Sequence, residues 1–312
     1  MFTPKLEILP PARRRLWDEL RHTPKHFVLY EGTALALRLA HRSSEDFDFF
    51  SNYSFAFLRK AIPYLHDAEM SQLEANTLTA IVDRAGPVKA SFFGGLALNR
   101  IQDPDLTPDN GIQVASLLDV AATKLATIQQ RAQARDYQDI AAIIPAGISL
   151  SSALAAASTA YGKQFNGALS LKALTYFADG DLPQLSSGTQ EQLRTLAAQV
   201  NLQQIPVLQG KTGDLQMVAK RVVWFKKPED ALQDTKLFLA HVMTYGTLSD
   251  ITTTLHYFSE SDFESVLDDP PPGIFDHRSW TYWNVRYRRE LVPALPRRNF
   301  ALFEPGVGPS HG

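Results

Sequence analysis

The segment from residue 26 to residue 50 constrains the fold most, because strand patterns and a helix pattern follow one another there around a Gly-Thr pair. HFVLY (26–30) predicts a buried strand, and ALALRLA (34–40) has helix-forming composition. DFDFF (46–50) alternates polar and apolar residues, as a strand with one buried face does. A strand, a helix and a second strand over so short a stretch predict a small domain built on a sheet.

The next residues extend this pattern. SFAFLRKAIPYLHDAEM (54–70) predicts a helix, and two β-rich runs, TLTAIV (77–82) and VKASFF (88–93), flank DRAGP and predict a hairpin. Strands and helices that alternate in this way predict an α+β domain over residues 1–98.

The remaining chain divides into two helical stretches. A length of 312 residues predicts two or three domains. Residues 99–210 read as a helical extension that completes the site. Residues 211–312 hold three of the four tryptophans and a PPP run, and they predict a mainly helical C-terminal domain with a possible regulatory role. We place the boundary near 210–214.

Composition excludes several classes of site. The chain has no cysteine, which excludes a disulfide framework, a thiolate metal site and a cysteine nucleophile. The formal net charge of −2 provides no global basic field for nucleic acid, although a local patch still could. The N-terminus lacks the apolar core of a signal peptide, and no run is apolar enough for a bilayer span. We therefore expect a cytoplasmic protein without a membrane partner.

The acidic pair in DFDFF is the most informative candidate site. Asp46 and Asp48 leave the same face of the predicted strand, and two neighbouring carboxylates repel unless a cation neutralises them. Mg²⁺ held by one or two carboxylates together with nucleotide phosphates is the usual arrangement in phosphoryl-transfer sites. Gly32 and Thr33 open a predicted helix, whose N–H groups suit a phosphate. Taken alone, however, such a pair also occurs on solvated edge strands.

A cationic stripe is the second candidate. In one continuous helix, Lys124, Arg131 and Arg135 lie at i, i+7 and i+11, on one face, where they could clamp phosphates. The alternative is a solvated face on which Arg135 pairs with Asp139. Arg42, just before the acidic pair, could contact phosphates or an acceptor RNA, or could cap the helix C-terminus.

Together the two candidates resemble a known family. FVLYEGTALALRLAHRSSEDFDFFS resembles the signature block of the AbiEii-type (type IV toxin) nucleotidyltransferases of the polymerase-beta-like superfamily, which reads Gly-Gly-Thr, a short helix, His-Arg, then Asp-x-Asp-Phe-Phe. LLDVAATKLATIQQRAQARDYQDI resembles the second block of that family, a Lys followed by Arg-Asp-x-x-Asp. The resemblance covers roughly residues 20–145.

The resemblance implies a mixed-sheet nucleotidyltransferase core with a helical extension. Its members transfer a nucleoside monophosphate from an NTP to an acceptor, in some cases tRNA, and act as toxins paired with an antitoxin. Carried over by position, Gly32 and Thr33 would hold the triphosphate, and Asp46 and Asp48 would ligate Mg²⁺. Lys124 would contact the phosphates.

The resemblance also implies a catalytic role for Asp136, because this residue of the second block matches a position that the family treats as catalytic.

The acceptor of the nucleoside monophosphate could be a protein instead of an RNA, and we leave both alternatives open.

Two departures leave an alternative open. Glu31 stands where the family has its first Gly, so a carboxylate lies where phosphate should approach. VKASFF offers Lys89 and Ser91, and not the third carboxylate that many polymerase-beta-like enzymes place on a later strand. The alternative function is therefore a catalytically weakened nucleotidyltransferase-like module that binds or regulates through its C-terminal helical domain.

Overall fold

The computed structural model describes residues 2–53, 58–96, 98–208, 214–255, 257–287, 289 and 292–295. The chain divides into two compact units, Met1–Gly213 and Asp214–Gly312. The candidate site residues all belong to the first unit.

A mixed sheet forms the centre of the first unit. Its strands are β1 (Val28–Leu29), β2 (Asp46–Phe50), β3 (Glu69–Glu74), β4 (Thr77–Asp83), β5 (Pro87–Phe93), β6 (Asp105–Leu106) and β7 (Gln113–Val114). They lie in the order β3-β4-β5-β2-β1-β7-β6. The pairs β2–β5 and β1–β7 are parallel, and the other neighbours are antiparallel. The predicted α+β class and mixed sheet are confirmed.

Helices cover and extend this sheet. Those of the first unit are α1 (Pro11–Trp17), α2 (Glu31–Leu39), α3 (Leu58–Ala61), α4 (Leu117–Thr127), α5 (Ala134–Ile143), α6 (Leu150–Tyr161), α7 (Gly167–Ala173) and α8 (Ser187–Ala198). Those of the second unit are α9 (Asp214–Val222), α10 (Pro228–Gln233), α11 (Thr235–Tyr245), α12 (Leu248–Leu255), α13 (Glu260–Asp268) and α14 (His277–Arg286).

Alternation along β2 separates the core from the site. Phe47 and Phe49 are fully buried, and the Phe49 ring stacks on that of Phe92 in β5 at 5.2 Å between centroids. Since neighbouring residues of a strand point to opposite faces, burying the two phenylalanines turns Asp46 and Asp48 to the other face. The hydrophobic effect therefore fixes the direction of both carboxylates.

The helix predicted over residues 54–70 is wrong for most of its length. Residues 54–57 lie outside the described residues, α3 is a single turn, and Pro63 cannot donate the backbone hydrogen bond that would continue a helix. Glu69–Glu74 instead forms β3, the edge strand that pairs with β4. Most of the β3 side chains are exposed, so the strand lacks the alternation that would have revealed it.

The single cationic stripe is also wrong, because the predicted helix is two helices. α4 ends at Thr127, Gln133 has an extended backbone, and α5 begins at Ala134. The backbone N–H of Ala134 donates to Asp181 Oδ1 at 2.6 Å, so a residue remote in sequence satisfies the first turn of α5. Lys124 therefore lies on one helix and Arg135 on another.

The second unit is a helical assembly with an aromatic core. Phe238, Phe258, Phe263, Trp280 and Trp283 are buried in it. In the described part of both units, none of the helices combines the length and the apolarity needed to span a bilayer.

Candidate active site

Two hydrogen bonds hold the N-terminal end of α2 against β2. The backbone N–H of Tyr30 donates to the carbonyl oxygen of Asp48 at 2.9 Å. The buried hydroxyl of Thr33 donates to the carbonyl oxygen of Asp46, and its oxygen lies 2.8 Å from Ser44 Oγ. These contacts fix the helix beside the acidic pair. The structure thus places Thr33 between helix and strand, off the cavity wall, and its contact with a nucleotide stays a prediction.

Gly32 is required by a close approach. A Cβ atom at this position would lie 2.6 Å from Nη2 of Arg42 and 3.1 Å from Ser44 Oγ. Any larger residue would therefore displace the Arg42 guanidinium. Gly32 itself lines the cavity, and its predicted contact with the triphosphate stays a prediction.

Lys124 lies at the centre of a buried ionic network. Its side chain is 2% exposed, and Nζ lies 2.6 Å from Glu31 Oε2, 2.9 Å from Asp136 Oδ1 and 3.0 Å from Asp139 Oδ2. Burial alone would lower the pKa of Lys124, but the carboxylates of Glu31, Asp139 and Asp136 outweigh burial and raise it. The ammonium is therefore charged at neutral pH.

Asp139 joins this network to the loop before β2. Arg42 binds it in a bidentate manner, with Nε 2.7 Å from Oδ1 and Nη2 2.8 Å from Oδ2. Nε2 of His41 lies 2.7 Å from Oδ1. Burial would raise the pKa of Asp139, but the hydrogen bonds with His41 and Arg42 and the charge of Lys124 lower it. The Arg135–Asp139 pair considered from sequence is wrong, because Arg135 Nε donates instead to Gln133 Oε1 at 3.1 Å.

Asp136 is the partner of two cations. Arg131 Nε donates to its Oδ2 at 2.8 Å and Arg131 Nη2 to its Oδ1 at 3.1 Å, beside the contact with Lys124. Burial would raise the pKa of Asp136, but Arg131 and Lys124 lower it. Asp136 is fully buried and does not line the cavity, so its predicted catalytic role stays a prediction.

One cavity of about 470 Å³ brings most of the predicted residues together. This volume lies in the range of small-molecule sites. Its lining includes Gly32, Arg42, Asp46, Asp48, Lys124, Arg131 and Arg135. Glu31, Glu45, Lys89 and Phe50 also line it. Separate elements of the first unit therefore converge on a polar cavity that holds both an acidic pair and several cations.

Lys89 is a site residue that was not predicted from sequence, where it counted only as a position without the third carboxylate of many polymerase-beta-like enzymes. β5 runs parallel to β2, with Lys89 opposite Asp46 and Ser91 opposite Asp48. Lys89 Nζ lies 3.3 Å from Asp46 Oδ2. The alternation of VKASFF contained the signal, because the residues that flank buried Ala90 face the same way as the acidic pair.

Burial, with the negative charges of Glu31 and Asp46, raises the pKa of Asp48 from 3.8 to about 6, although Lys89 opposes the shift. A bound cation would stabilise the ionised form of this carboxyl group, which burial and the neighbouring negative charges oppose. In the described part of the chain, no three His, Asp or Glu side chains converge as a metal site. Two carboxylates nevertheless suit Mg²⁺, which takes one or two protein carboxylates and completes its shell with phosphates and water.

The raised pKa predicts how stability depends on pH. Since the pKa of Asp48 is higher folded than unfolded, the folded state binds the extra proton, and stability falls as pH rises from about 4 to about 6. Asp136 and Asp139, whose pKa values are lowered, act below this window. We expect the Asp48→Asn variant to lose this component. Denaturant unfolding of both proteins without divalent ions, from pH 4 to 8, measures it, and equal profiles would contradict the prediction.

An α+β fold with a mixed sheet, an acidic pair on one strand and a glycine at the adjoining helix N-terminus defines a protein of the nucleotidyltransferase class. Residues 15–211 match the family described as "Nucleotidyl transferase AbiEii toxin, Type IV TA system". The matched region is more than half of the chain. The chain therefore belongs to the AbiEii nucleotidyltransferase family.

Individual proteins are more distantly similar. The chain is 32% identical to the uncharacterized protein aq_aa25 of Aquifex aeolicus (strain VF5) over 118 residues, which are 36% of this chain and 55% of that protein. It thus spans about half the length of this curated relative.

Two solved structures are also similar. One is a proposed nucleotidyltransferase from H. pylori (TM-score 0.38, 18% identity, 60% of this chain and 90% of that chain covered). The other is the nucleotidyltransferase toxin MenT4 from Mycobacterium tuberculosis H37Rv (TM-score 0.44, 13% identity, 62% and 83% covered).

Proposed function

We propose that this protein transfers a nucleoside monophosphate from an NTP to a hydroxyl group of an acceptor, a tRNA or another RNA, or a protein. The observation that carries the proposal is the convergence of the Asp46–Asp48 pair, the Gly32 helix start and the Lys124 network on one cavity. An acidic pair suits a divalent cation, whereas a helix start and cations suit phosphates.

The chemistry is a displacement at the α-phosphorus. The acceptor oxygen forms a bond to this phosphorus, the bond from phosphorus to the oxygen that bridges to the β-phosphate breaks, and pyrophosphate leaves. The hydroxyl proton is released to water. In this arrangement the backbone N–H groups at the start of α2 donate hydrogen bonds to phosphate oxygens. Arg131 and Arg135 line the cavity and provide further cationic partners for the phosphates.

Mg²⁺ is the proposed cofactor, with Asp46 and Asp48 as its protein ligands. When bound, the ion would neutralise charge that develops on the phosphates during displacement. Asp46 and Asp48 both line the cavity, and Lys89 Nζ lies 3.3 Å from Asp46 Oδ2.

Membership of a type IV toxin-antitoxin family supports two further proposals. The activity would inhibit growth, and a cognate antitoxin would be the protein partner. Expression in a bacterial host, alone and together with a candidate antitoxin, would test both, since a toxin should arrest growth only when the antitoxin is absent.

Labelled nucleotides test the proposed reaction directly. We expect the full chain to incorporate label from at least one of four α-³²P-labelled NTPs into total tRNA or into protein when Mg²⁺ is present. Excess EDTA should abolish the incorporation, and added Mg²⁺ should restore it, because without a cation the two carboxylates repel the negative phosphates. Nuclease and protease digestion identify the acceptor. Label that persists in EDTA would contradict the metal-dependent reaction.

A binding or regulatory module without turnover remains the second candidate, because Glu31 lies against the lysine that should contact phosphate. Calorimetry with Mg-NTP in parallel with the labelling assay separates the two functions. Binding without incorporation into any acceptor would favour the regulatory module.

A further inference from the structure

Glu31 has a backbone conformation that its residue type disfavours. Its φ is +58°, in the left-handed region, and it is the first residue of α2. Glycine adopts this region readily, whereas a residue with a Cβ atom is strained there. The strained position therefore carries a carboxylate where glycine would be the easier residue, and the contacts of that carboxylate indicate what it does.

The Glu31 carboxylate accepts a hydrogen bond from one of the N–H groups of the Lys124 ammonium. An ammonium has three N–H donors. The three carboxylates of Glu31, Asp136 and Asp139 lie at 2.6, 2.9 and 3.0 Å from Nζ, which matches one donor for each. An external anion can then reach Nζ only by displacing one of them.

Of these three carboxylates, Glu31 is the one that an entering anion meets. Asp136 and Asp139 are fully buried and are bound in addition by Arg131 and Arg42. The side chain of Glu31 is 17% exposed and lines the cavity beside the acidic pair. Displacing Glu31 is therefore easier than displacing either buried aspartate.

We infer that Glu31 is an internal competitor of the polyphosphate: its carboxylate holds the anion position of Lys124 and must leave it before a triphosphate can bind there. The inference rests on the proposed function, in that the cavity must receive a polyphosphate. Its consequence is that Glu31 sets the apparent affinity for the nucleotide. Only the fraction of molecules in which Glu31 has left Lys124 is competent to bind at this position, and the apparent dissociation constant rises accordingly.

Calorimetric titration of the full chain with magnesium tripolyphosphate tests this competition. We expect the Glu31→Gln variant to bind about tenfold more tightly than the wild type, as it would if about nine in ten molecules held the ion pair. The Glu31→Gly variant, which also removes the backbone strain, should bind at least as tightly. In the labelling assay, Glu31→Gln should lower KM for the NTP and leave kcat unchanged.

Two further variants separate competition from a general change in charge. Glu45→Gln removes a carboxylate that lines the same cavity but is exposed to solvent, and it should change the affinity by less than about twofold, since water and salt screen an exposed charge. In a Lys124→Met background, the gain from Glu31→Gln should disappear, because the two groups act through one contact. Should Lys124→Met fail to fold, the comparison of Glu31→Gln with Glu45→Gln decides alone.

The outcomes distinguish this inference from the proposed function. If the wild type binds tripolyphosphate and Glu31→Gln binds no more tightly, the competition is wrong and the proposed function stands. An equal gain in Glu31→Gln and Glu45→Gln would also overturn the competition. If neither the wild type nor Glu31→Gln binds tripolyphosphate, both the phosphate site and the inference are overturned.

Discussion

We expect the Asp46→Asn and Asp48→Asn variants to lose about a thousandfold in transfer rate, the effect of removing about 4 kcal/mol of transition-state stabilisation. Asparagine keeps the size of the side chain and removes the charge that would hold the cation. Both residues lie on the strand face opposite the buried Phe47 and Phe49, so neither substitution changes the core.

Asp48→Asn should increase stability although it lowers the transfer rate. Because the pKa of Asp48 is raised to about 6, its ionisation at pH 7 opposes folding, and Asp48→Asn should stabilise the first unit by up to about 3 kcal/mol. A variant that is more stable and inactive identifies a residue retained for function. The Glu45→Gln variant is the matched control and should keep its activity. Full activity in Asp48→Asn would refute the proposed site.

The Lys124→Met substitution should have the largest effect on stability, a loss of about 3–5 kcal/mol. It removes the buried ammonium that the carboxylates of Glu31, Asp136 and Asp139 share. The two arginines that bind the aspartates remain, so the network is left with more negative than positive charge. Methionine fills a similar volume, so the loss reports charge and not a cavity.

The stability loss caused by Lys124→Met should depend on pH. Because the pKa values of Asp136 and Asp139 are lowered in the folded state, their contribution is present above about pH 4 and is lost as pH falls below it. The loss of stability in Lys124→Met should therefore be largest near pH 7 and smaller near pH 4, where protonation of the carboxylates removes part of the excess negative charge.

Hydrogen exchange of the amides in α4 and β2 measures the opening of the first unit itself, apart from the second unit. Lys89→Met is the matched control. The Lys89 side chain is 44% exposed, and its contact with Asp46 is long at 3.3 Å, so the loss should stay below about 1 kcal/mol. Equal losses in the two variants would show that the buried network contributes no more than a surface ion pair.

Local sequence pattern predicted the acidic strand well. The alternation in DFDFF requires two phenylalanines on one face and two aspartates on the other, whatever the strand pairs with. The β4–β5 hairpin and α2 were likewise predicted from local composition. β3 was missed because an exposed edge strand has no buried face to impose an alternation, and β6 and β7, at two residues each, are too short for a pattern.

The partners of the charged residues could not be predicted in the same way. Arg42 and Asp139 are 97 residues apart, and their bidentate contact depends on α5 packing near the loop before β2. At the break between α4 and α5, the backbone N–H of Ala134 donates to Asp181, which is 47 residues away in sequence. From sequence, Arg135 is the expected partner of Asp139, because residues four apart are neighbours on the surface of a helix.

The sequence alone determined that Asp46 and Asp48 lie on the face of β2 opposite the buried phenylalanines, because the directions of side chains along a strand follow from backbone geometry. Only the tertiary structure decided that Lys124 is buried among three carboxylates and that Glu31 is one of them. Ionic contacts of this kind form between groups far apart in the chain, where burial removes water and makes each charge require a partner.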